Sequence, residues 1–116
     1  MSAYADMLPA KDRDETVWRA LADGWRRRLL DVLAEGPKTT GHLVESLPEL
    51  SRTAVMRHLD VLEEAGLLIV RREGRQRWNR LNPVPIDRVC RRWLDRNAGR
   101  WASALNRLDE LVSEDS

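Results

Sequence analysis

The sequence predicts a mainly α domain that carries one small β-hairpin, an α+β fold. Apolar residues recur at spacings of three or four through most of the chain, which is the period of an amphipathic helix. Residues 68–73 and 75–81 instead resemble two strands around a glycine, a pattern typical of a hairpin. Turn residues separate these segments at Gly36-Pro37, Pro48 and Gly66.

Charge is unevenly distributed along the chain. The 116 residues suit one small domain, and their formal net charge is only +1. Residues 71–80, however, hold five arginines against one acid, Glu73, which is a local charge of +4. A concentration of this kind indicates an anionic partner more than the total charge does.

The single cysteine, Cys90, excludes an intrachain disulfide and fits a reducing compartment. The sequence shows no secretion signal at its start and no apolar run of about 18 residues. We therefore expect a cytoplasmic protein without a membrane partner.

The N-terminal half predicts an arm and two helices. Residues 1–13 lack a clear period and are interpreted as an arm. From Asp14 a first helix carries Val17, Trp18 and Leu21. Asp23 is a candidate N-cap for a second helix, which Gly36-Pro37 ends.

Two short helices follow in close succession. Thr39 is the expected N-cap of a third helix, closed by Pro48, and Ser51 is the expected N-cap of a fourth. The fourth helix runs to Ala65 and stops at Gly66. Two helices joined by so short a turn are typical of a helix-turn-helix, so residues 14–82 are predicted to form a winged helix-turn-helix domain.

Residues 83–116 predict one long terminal helix of roughly 27 residues, or about 40 Å at 1.5 Å per residue. Its apolar positions exceed what so small a domain can cover, which favours a homodimer. We expect the helix to remain part of the same compact domain. The predicted dimer interface contains Val17, Trp18, Leu21, Val89, Trp93, Trp101, Leu105 and Leu108.

The fourth helix has two faces of different character. Val55, Leu59 and Leu62 form the expected core face, and polar side chains lie opposite. Arginine can pair with guanine, and apolar atoms can meet the thymine methyl group, so the polar face can read double-stranded DNA. The alternatives are an ordinary solvated face and a solubilising basic hairpin. The predicted DNA-binding set is Thr39, Thr40, Ser51, Arg52, Thr53, Met56, Arg57, His58, Arg75, Gln76 and Arg77.

Other chemistries have little support. His58 is expected at the edge of the core and His42 in solvent, and Cys90 is interpreted as a small core residue. No cluster with metal-ligand spacing, phosphate loop or nucleophile–base set appears, so we predict neither a metal, nor a cofactor, nor an enzyme. A small-molecule effector is left open. Such an effector would bind near Trp18, Trp93 and Trp101, and no residue of the sequence indicates its chemical class.

The order of these motifs resembles the ArsR (ArsR/SmtB) family of winged-helix transcriptional regulators. The resemblance rests on Ala20–Asp23, Ser51–Leu59, Leu62–Leu67 and Arg72–Arg75, and it covers residues 14–82 closely. It implies a homodimer whose first and last helices form the interface. It also implies a repressor that acts at its own or an adjacent promoter.

The chain departs from the family pattern at several positions. The third helix has no cysteine and the last has no histidine, so the chain is most similar to members without metal sites. Arg52 and Met56 replace the commoner small or amide residues, so the DNA sequence that is read is expected to be this protein's own. Two alternatives stay open: a metal- or metalloid-responsive repressor, and a winged-helix module that binds a protein and no DNA.

Overall fold

A computed structural model describes residues 10–114, and within them the side chains of residues 13–95, 98–100 and 102–112. These residues form five helices and a small sheet, which confirms the predicted mainly α fold with a wing. The elements are α1 (Ala10–Leu21), α2 (Gly24–Ala34), β1 (Lys38–Thr39), α3 (Thr40–Ser46), α4 (Arg52–Glu64), β2 (Leu68–Glu73), β3 (Gln76–Leu81) and α5 (Val84–Glu114).

The first helix begins earlier than predicted. Helix α1 already begins at Ala10, four residues before the predicted start at Asp14, so residues 10–13 are helical. Residues 11–13 are all charged and add no apolar position to the helical period, so the sequence did not predict this first turn. The remainder of the predicted arm, residues 1–9, lies outside the described residues.

All three predicted N-caps are confirmed. The Asp23 carboxylate accepts hydrogen bonds from the amides of Trp25 (2.8 Å) and Arg26 (3.2 Å). The Thr39 hydroxyl oxygen accepts from the His42 amide, and that of Ser51 accepts from the Ala54 amide, both at 3.1 Å. Each cap satisfies amides that the first helical turn leaves without a partner.

Two glycines end helices as predicted. Gly36 and Gly66 have φ angles of 145° and 77°, a region that side-chain-bearing residues rarely occupy. The Gly66 amide donates to the Glu63 carbonyl, and the Leu67 amide donates to the Leu62 carbonyl, which closes α4.

The wing contains one strand more than predicted. Strand β3 lies between β1 and β2, antiparallel to both, so the hairpin is part of a three-stranded sheet. Strand β1 pairs Lys38 with Asn79 and Thr39 with Trp78. A two-residue strand is too short to show an alternating pattern, and for this reason the sequence did not predict it.

The core lies beneath α4 and the base of the wing. Leu43 from α3, the α3 C-cap residue Leu47, and Val55, Leu59 and Leu62 from α4 are fully or almost fully buried. The rest of the buried core cluster consists of Ala20, Leu29, Leu30, Leu33, Ala65, Leu67 and Leu68. The described residues up to Ile86 form one compact unit, and those from Asp87 onward form another.

Three predicted positions on α1 and α5 are corrected. Val17 and Val89 are buried within the single chain, at 0% and 2% exposure, so their side chains add no area to an interface with a second copy. Cys90, predicted as a core residue, is exposed. Successive helix residues are rotated by about 100°, so Cys90 points away from the side on which Val89 is buried. Among residues 10–114, no helix is long and apolar enough to cross a membrane.

We expect Asp23→Ala to destabilise the domain by about 1 kcal/mol near neutral pH, because α2 loses its cap. Burial raises the pKa of Asp23, but hydrogen bonds from the Arg26 and Trp25 amides and the nearby Arg26 guanidinium outweigh this effect and hold the pKa below its ordinary value. The stabilisation is therefore complete above the unfolded-state pKa and is lost as the pH falls through the lower folded-state pKa.

Urea unfolding of both proteins between pH 7 and pH 2 checks this expectation. Asp31→Ala is the matched control, since Asp31 is an exposed acid of the same helix. A difference between the wild type and Asp23→Ala that did not shrink at acidic pH would contradict the role of the carboxylate.

Candidate nucleic-acid interface

Helix α4 presents a polar surface directly opposite its buried face. Ser51, Arg52, Thr53 and Arg57 are exposed, whereas Met56 is half-buried and packs against the core. The predicted division of α4 into a core face and an outer face is confirmed by this burial. The Ser51 hydroxyl also serves as the N-cap, so this residue sets where the outer face begins.

Four exposed arginines surround this surface: Arg52 and Arg57 on α4, Arg72 on β2 and Arg75 in the turn. Within the part of the chain that the structure describes, their side chains have neither an ion pair nor a hydrogen bond. Their charge is thus available to a molecule outside the chain.

The wing holds two of its arginines directly opposite each other. Arg72 on β2 is in register with Arg77 on β3, and Glu73 is in register with Gln76. Gly74, with a φ of 60°, provides the tight turn between the strands. Like charges at facing positions destabilise a sheet, and the Glu63 carboxylate, 3.8 Å from the Arg77 guanidinium, offsets part of this cost.

The outer face of α4 and the wing meet in a cleft of about 330 Å³. We call it the basic cleft, because four arginines contribute to its wall. Its lining comes from the start of α3, from α4 and from both strands of the wing: Thr39, Thr40, Gly41, Arg52, Met56, Arg72, Arg75, Gln76 and Arg77. The structure therefore brings seven of the eleven predicted DNA-binding residues to one place, with Ser51, Thr53 and Arg57 on the exposed surface of the same helix end.

Arg77 differs from the other arginines of the basic cleft. Its side chain is only 11% exposed, and its Nη2 atom lies 3.8 Å from Oε1 of Glu63 on α4. The structure turns most of its guanidinium toward α4, and the predicted contact of Arg77 with DNA stays a prediction. Arg77 shares the inward face of β3 with Asn79 and Leu81.

Thr40, another member of the predicted DNA-binding set, is also turned toward the wing. It is 5% exposed, and its hydroxyl oxygen accepts a hydrogen bond from Nδ2 of Asn79 at 3.1 Å. The side chain therefore contacts the wing and not the solvent. Asn79, fully buried in the central strand, was not predicted as a core residue, because an asparagine beside Arg80 in an arginine-rich hairpin has the appearance of a solvated strand residue.

His58 lies at the edge of the core, as expected. It is half-buried, and its Nδ1 atom is 3.3 Å from Nη1 of Arg26 on α2. A guanidinium only donates, so Nδ1 is the acceptor and only Nε2 remains for a contact outside the chain. Arg26 also donates to the Ala20 and Arg19 carbonyls at 2.8 and 3.0 Å, which ties the end of α1 to α4.

The other predicted interface residues divide by exposure. Trp18 on α1 is 44% exposed, and Leu21 packs against the core. On α5, Trp93, Leu105 and Leu108 are 44%, 57% and 58% exposed, which is high for side chains of this size. The side chain of Trp101 lies outside the described ones. No group of three or more potential metal ligands occurs among the described residues.

Known proteins share these features. A family model for a helix-turn-helix domain matches residues 21–71. The HTH-type transcriptional regulator Rv2034 of Mycobacterium tuberculosis is 39% identical over 101 residues, which are 87% of this chain and 90% of that protein. The crystal structure of an ArsR family transcriptional regulator is 27% identical and has a TM-score of 0.72, covering 84% of this chain and 98% of its own.

A third similar protein was solved by NMR in solution. It is a homodimeric winged helix-turn-helix DNA-binding domain from Mycobacterium bovis, 25% identical to this chain with a TM-score of 0.61. The match covers 74% of this chain and 80% of that domain. A short helix pair whose second helix lies beside a basic wing defines a transcriptional regulator of the winged helix-turn-helix class. Within that class, the chain belongs to the ArsR family.

We expect Arg75→Ala to weaken binding to all DNA sequences alike. The loss of one phosphate contact reduces the slope of log K against log salt concentration by about 0.9 per protomer. Titrations of one duplex at several salt concentrations measure this slope.

Arg71→Ala is the matched control, since Arg71 pairs with Glu73 at 3.3 Å on the other face of the same hairpin. If both variants lowered the slope equally, Arg75 would contribute no more to phosphate binding than Arg71 does, which would contradict the prediction.

Proposed function

We propose that this protein is a homodimeric, sequence-specific repressor that binds at its own or an adjacent promoter. The N-terminal half of α4 enters the major groove, and the wing holds the neighbouring backbone. A dimer bound there represses by occupying DNA that RNA polymerase needs. The basic cleft carries the proposal, because it joins one side of α4 to the arginines of the wing.

The two parts of the interface have different tasks in this proposal. Arg52, Thr53 and Arg57 are exposed on the first two turns of α4, where a helix in the major groove meets base edges. Met56 offers apolar atoms to a thymine methyl group from the wall of the cleft. Arg72 and Arg75 neutralise phosphates and so supply affinity without sequence preference.

Selection of bound duplexes from a random pool, together with genome-wide mapping of bound sites, tests the function directly. The expected product is a two-fold site whose halves lie about 34–36 Å apart, one duplex turn. Recovery of the protein's own promoter region, and higher expression on deletion, would support repression there. A pool that showed no enriched sequence would contradict specific binding.

We expect Arg57→Ala to cost about 1–3 kcal/mol of specific binding and to relax one base position. The reason is that an exposed arginine without an internal partner can pair with a guanine on two atoms. Competition between the selected site and single-base variants measures both effects.

The pattern of lost affinity over different duplexes separates a base contact from a phosphate contact in the Arg57 variant. A base contact leaves the preference at other positions unchanged and alters discrimination at one. A uniform loss over all duplexes would instead assign Arg57 to the backbone.

The proposal of a homodimer rests on exposed apolar side chains in the second unit, which begins at Asp87. Leu105, Leu108, Leu111 and Val112 on α5 are each more than half exposed. When a second copy covers these side chains, the apolar area removed from water stabilises the dimer by about 25 cal/mol per Å². The similar domain from Mycobacterium bovis is homodimeric, which points in the same direction.

We expect the double change Leu105→Asp/Leu108→Asp to give a monomer at micromolar concentration, because it places two charges per protomer in an apolar interface. Light scattering behind size exclusion reports the mass. Asn106→Asp is the control, since it adds charge at an exposed polar position between them. A double variant that stayed dimeric would move the interface elsewhere.

The two alternatives predict different outcomes. A protein-binding module without DNA affinity shows no salt-dependent shift of random duplex even at low ionic strength. A metal- or metalloid-responsive repressor binds a stoichiometric ion, which equilibrium dialysis with zinc at sub-micromolar concentration would detect.

A further inference from the structure

Four inward-facing polar side chains connect the wing to the helix-turn-helix. Nδ2 of Asn79 donates to the Thr40 hydroxyl at 3.1 Å and to the Lys38 carbonyl at 3.3 Å. The Arg77 carbonyl accepts from Thr40 and from Asn79, both at 3.5 Å. The Arg77 side chain reaches Glu63 on α4. We call Thr40, Glu63, Arg77 and Asn79 the polar brace.

The polar brace is costly as a purely structural element. Asn79 is 0% exposed, and its Oδ1 atom is buried without a hydrogen-bond partner within the described chain, as is Nε of Arg77. A buried polar atom without a partner destabilises a fold, and an apolar side chain of similar size would not have this cost. The position of these groups suggests a use beyond stability, since they lie behind the wall of the basic cleft.

The elements that the polar brace connects are the elements that line the cleft. Thr40 begins α3, Glu63 lies on α4, and Arg77 and Asn79 belong to the central strand of the sheet. The distance between α4 and the wing determines whether Arg52 and Arg75 can reach the same duplex at once. A hairpin attached only through apolar contacts at its base could change this distance more easily.

We propose that the polar brace positions the wing and thereby sets the width of the basic cleft. Its members are positioning residues for DNA binding, and none of them needs to touch DNA. Glu63 also neutralises Arg77, which faces Arg72 across the strands, so Arg77 repels Arg72 less. This inference rests on the DNA contacts proposed above.

The first test replaces both partners of the buried hydrogen bond by apolar side chains, Thr40→Val with Asn79→Leu. Removing donor and acceptor together can leave stability nearly unchanged. We expect a folded protein whose salt slope is lower by about 0.9 for each phosphate contact that the wing loses. Asn82→Leu is the matched control, because Nδ2 of Asn82 donates to the Gly66 carbonyl at 3.0 Å away from the cleft.

Circular dichroism and thermal unfolding establish that each variant is folded. A wild-type slope in the Thr40→Val/Asn79→Leu variant, or an equal loss in Asn82→Leu, would overturn the proposal. Failure of the wild-type protein itself to bind any duplex would instead refute the proposed function, so the two failures are distinguishable.

The second test asks whether the polar brace acts through Arg75. We expect Arg75→Ala to lose most of its effect on the salt slope in the Thr40→Val/Asn79→Leu background, because a displaced wing no longer places Arg75 on a phosphate. Independent effects that simply add would contradict the proposal. A general loss of stability does not produce this non-additivity in a folded protein.

Glu63→Ala provides the third test. If Glu63 holds the wing in place through Arg77, the variant binds the selected site less tightly. If Glu63 merely withholds Arg77 from DNA, the variant binds more tightly and its salt slope steepens, which would overturn the positioning role.

Discussion

The contact between the central wing strand and the two short helices determines what this domain can do. Leu81 at the base of β3 packs against the core, and farther along the same strand face the core gives way to the buried Asn79 and then to Arg77. One strand face thus passes from apolar to polar to charged as it leaves the core. This gradient places a basic surface beside α4 while keeping the strand attached to it.

Stability and binding make opposite demands on this region. The facing pair Arg72 and Arg77 disfavours folding, and the orphaned polar atoms beside them do the same. The capped helices and the apolar residues of α3 and α4 supply the compensating stability. An anionic partner offsets the repulsion among the exposed arginines, whereas the buried Oδ1 atom of Asn79 is an acceptor and gains no partner from an anion.

Arg26 links the functional surface to the remainder of the first unit. Its guanidinium bonds to carbonyl groups at the end of α1 and to His58 on α4, and it lies 3.9 Å from the capping Asp23 carboxylate. One side chain therefore relates the first helix to the helix that carries Arg52 and Arg57. If the first helix contributes to a dimer interface, this connection helps to determine how two such surfaces are spaced.

Several features of the protein could be determined from the sequence by itself. Local chemistry sufficed for the caps at Asp23, Thr39 and Ser51, for the glycine stops, and for the two faces of α4, because each depends on residues within one or two turns. The order of the motifs sufficed for the ArsR family. The tertiary structure alone decided the roles of Thr40, Arg77 and Asn79, since each depends on partners that are distant in the chain.

The stretch from Leu50 to Leu81 therefore contains both kinds of information. Its helix could be assigned from a period of 3.6 residues, and its hairpin from Gly74 between two strand-like runs. Its arginines all looked alike in sequence, as exposed charges on a wing. Pairing with the two-residue strand β1 and the approach of Glu63 from α4 turned Arg77 inward and left Arg75 outside, which is a distinction that only packing can make.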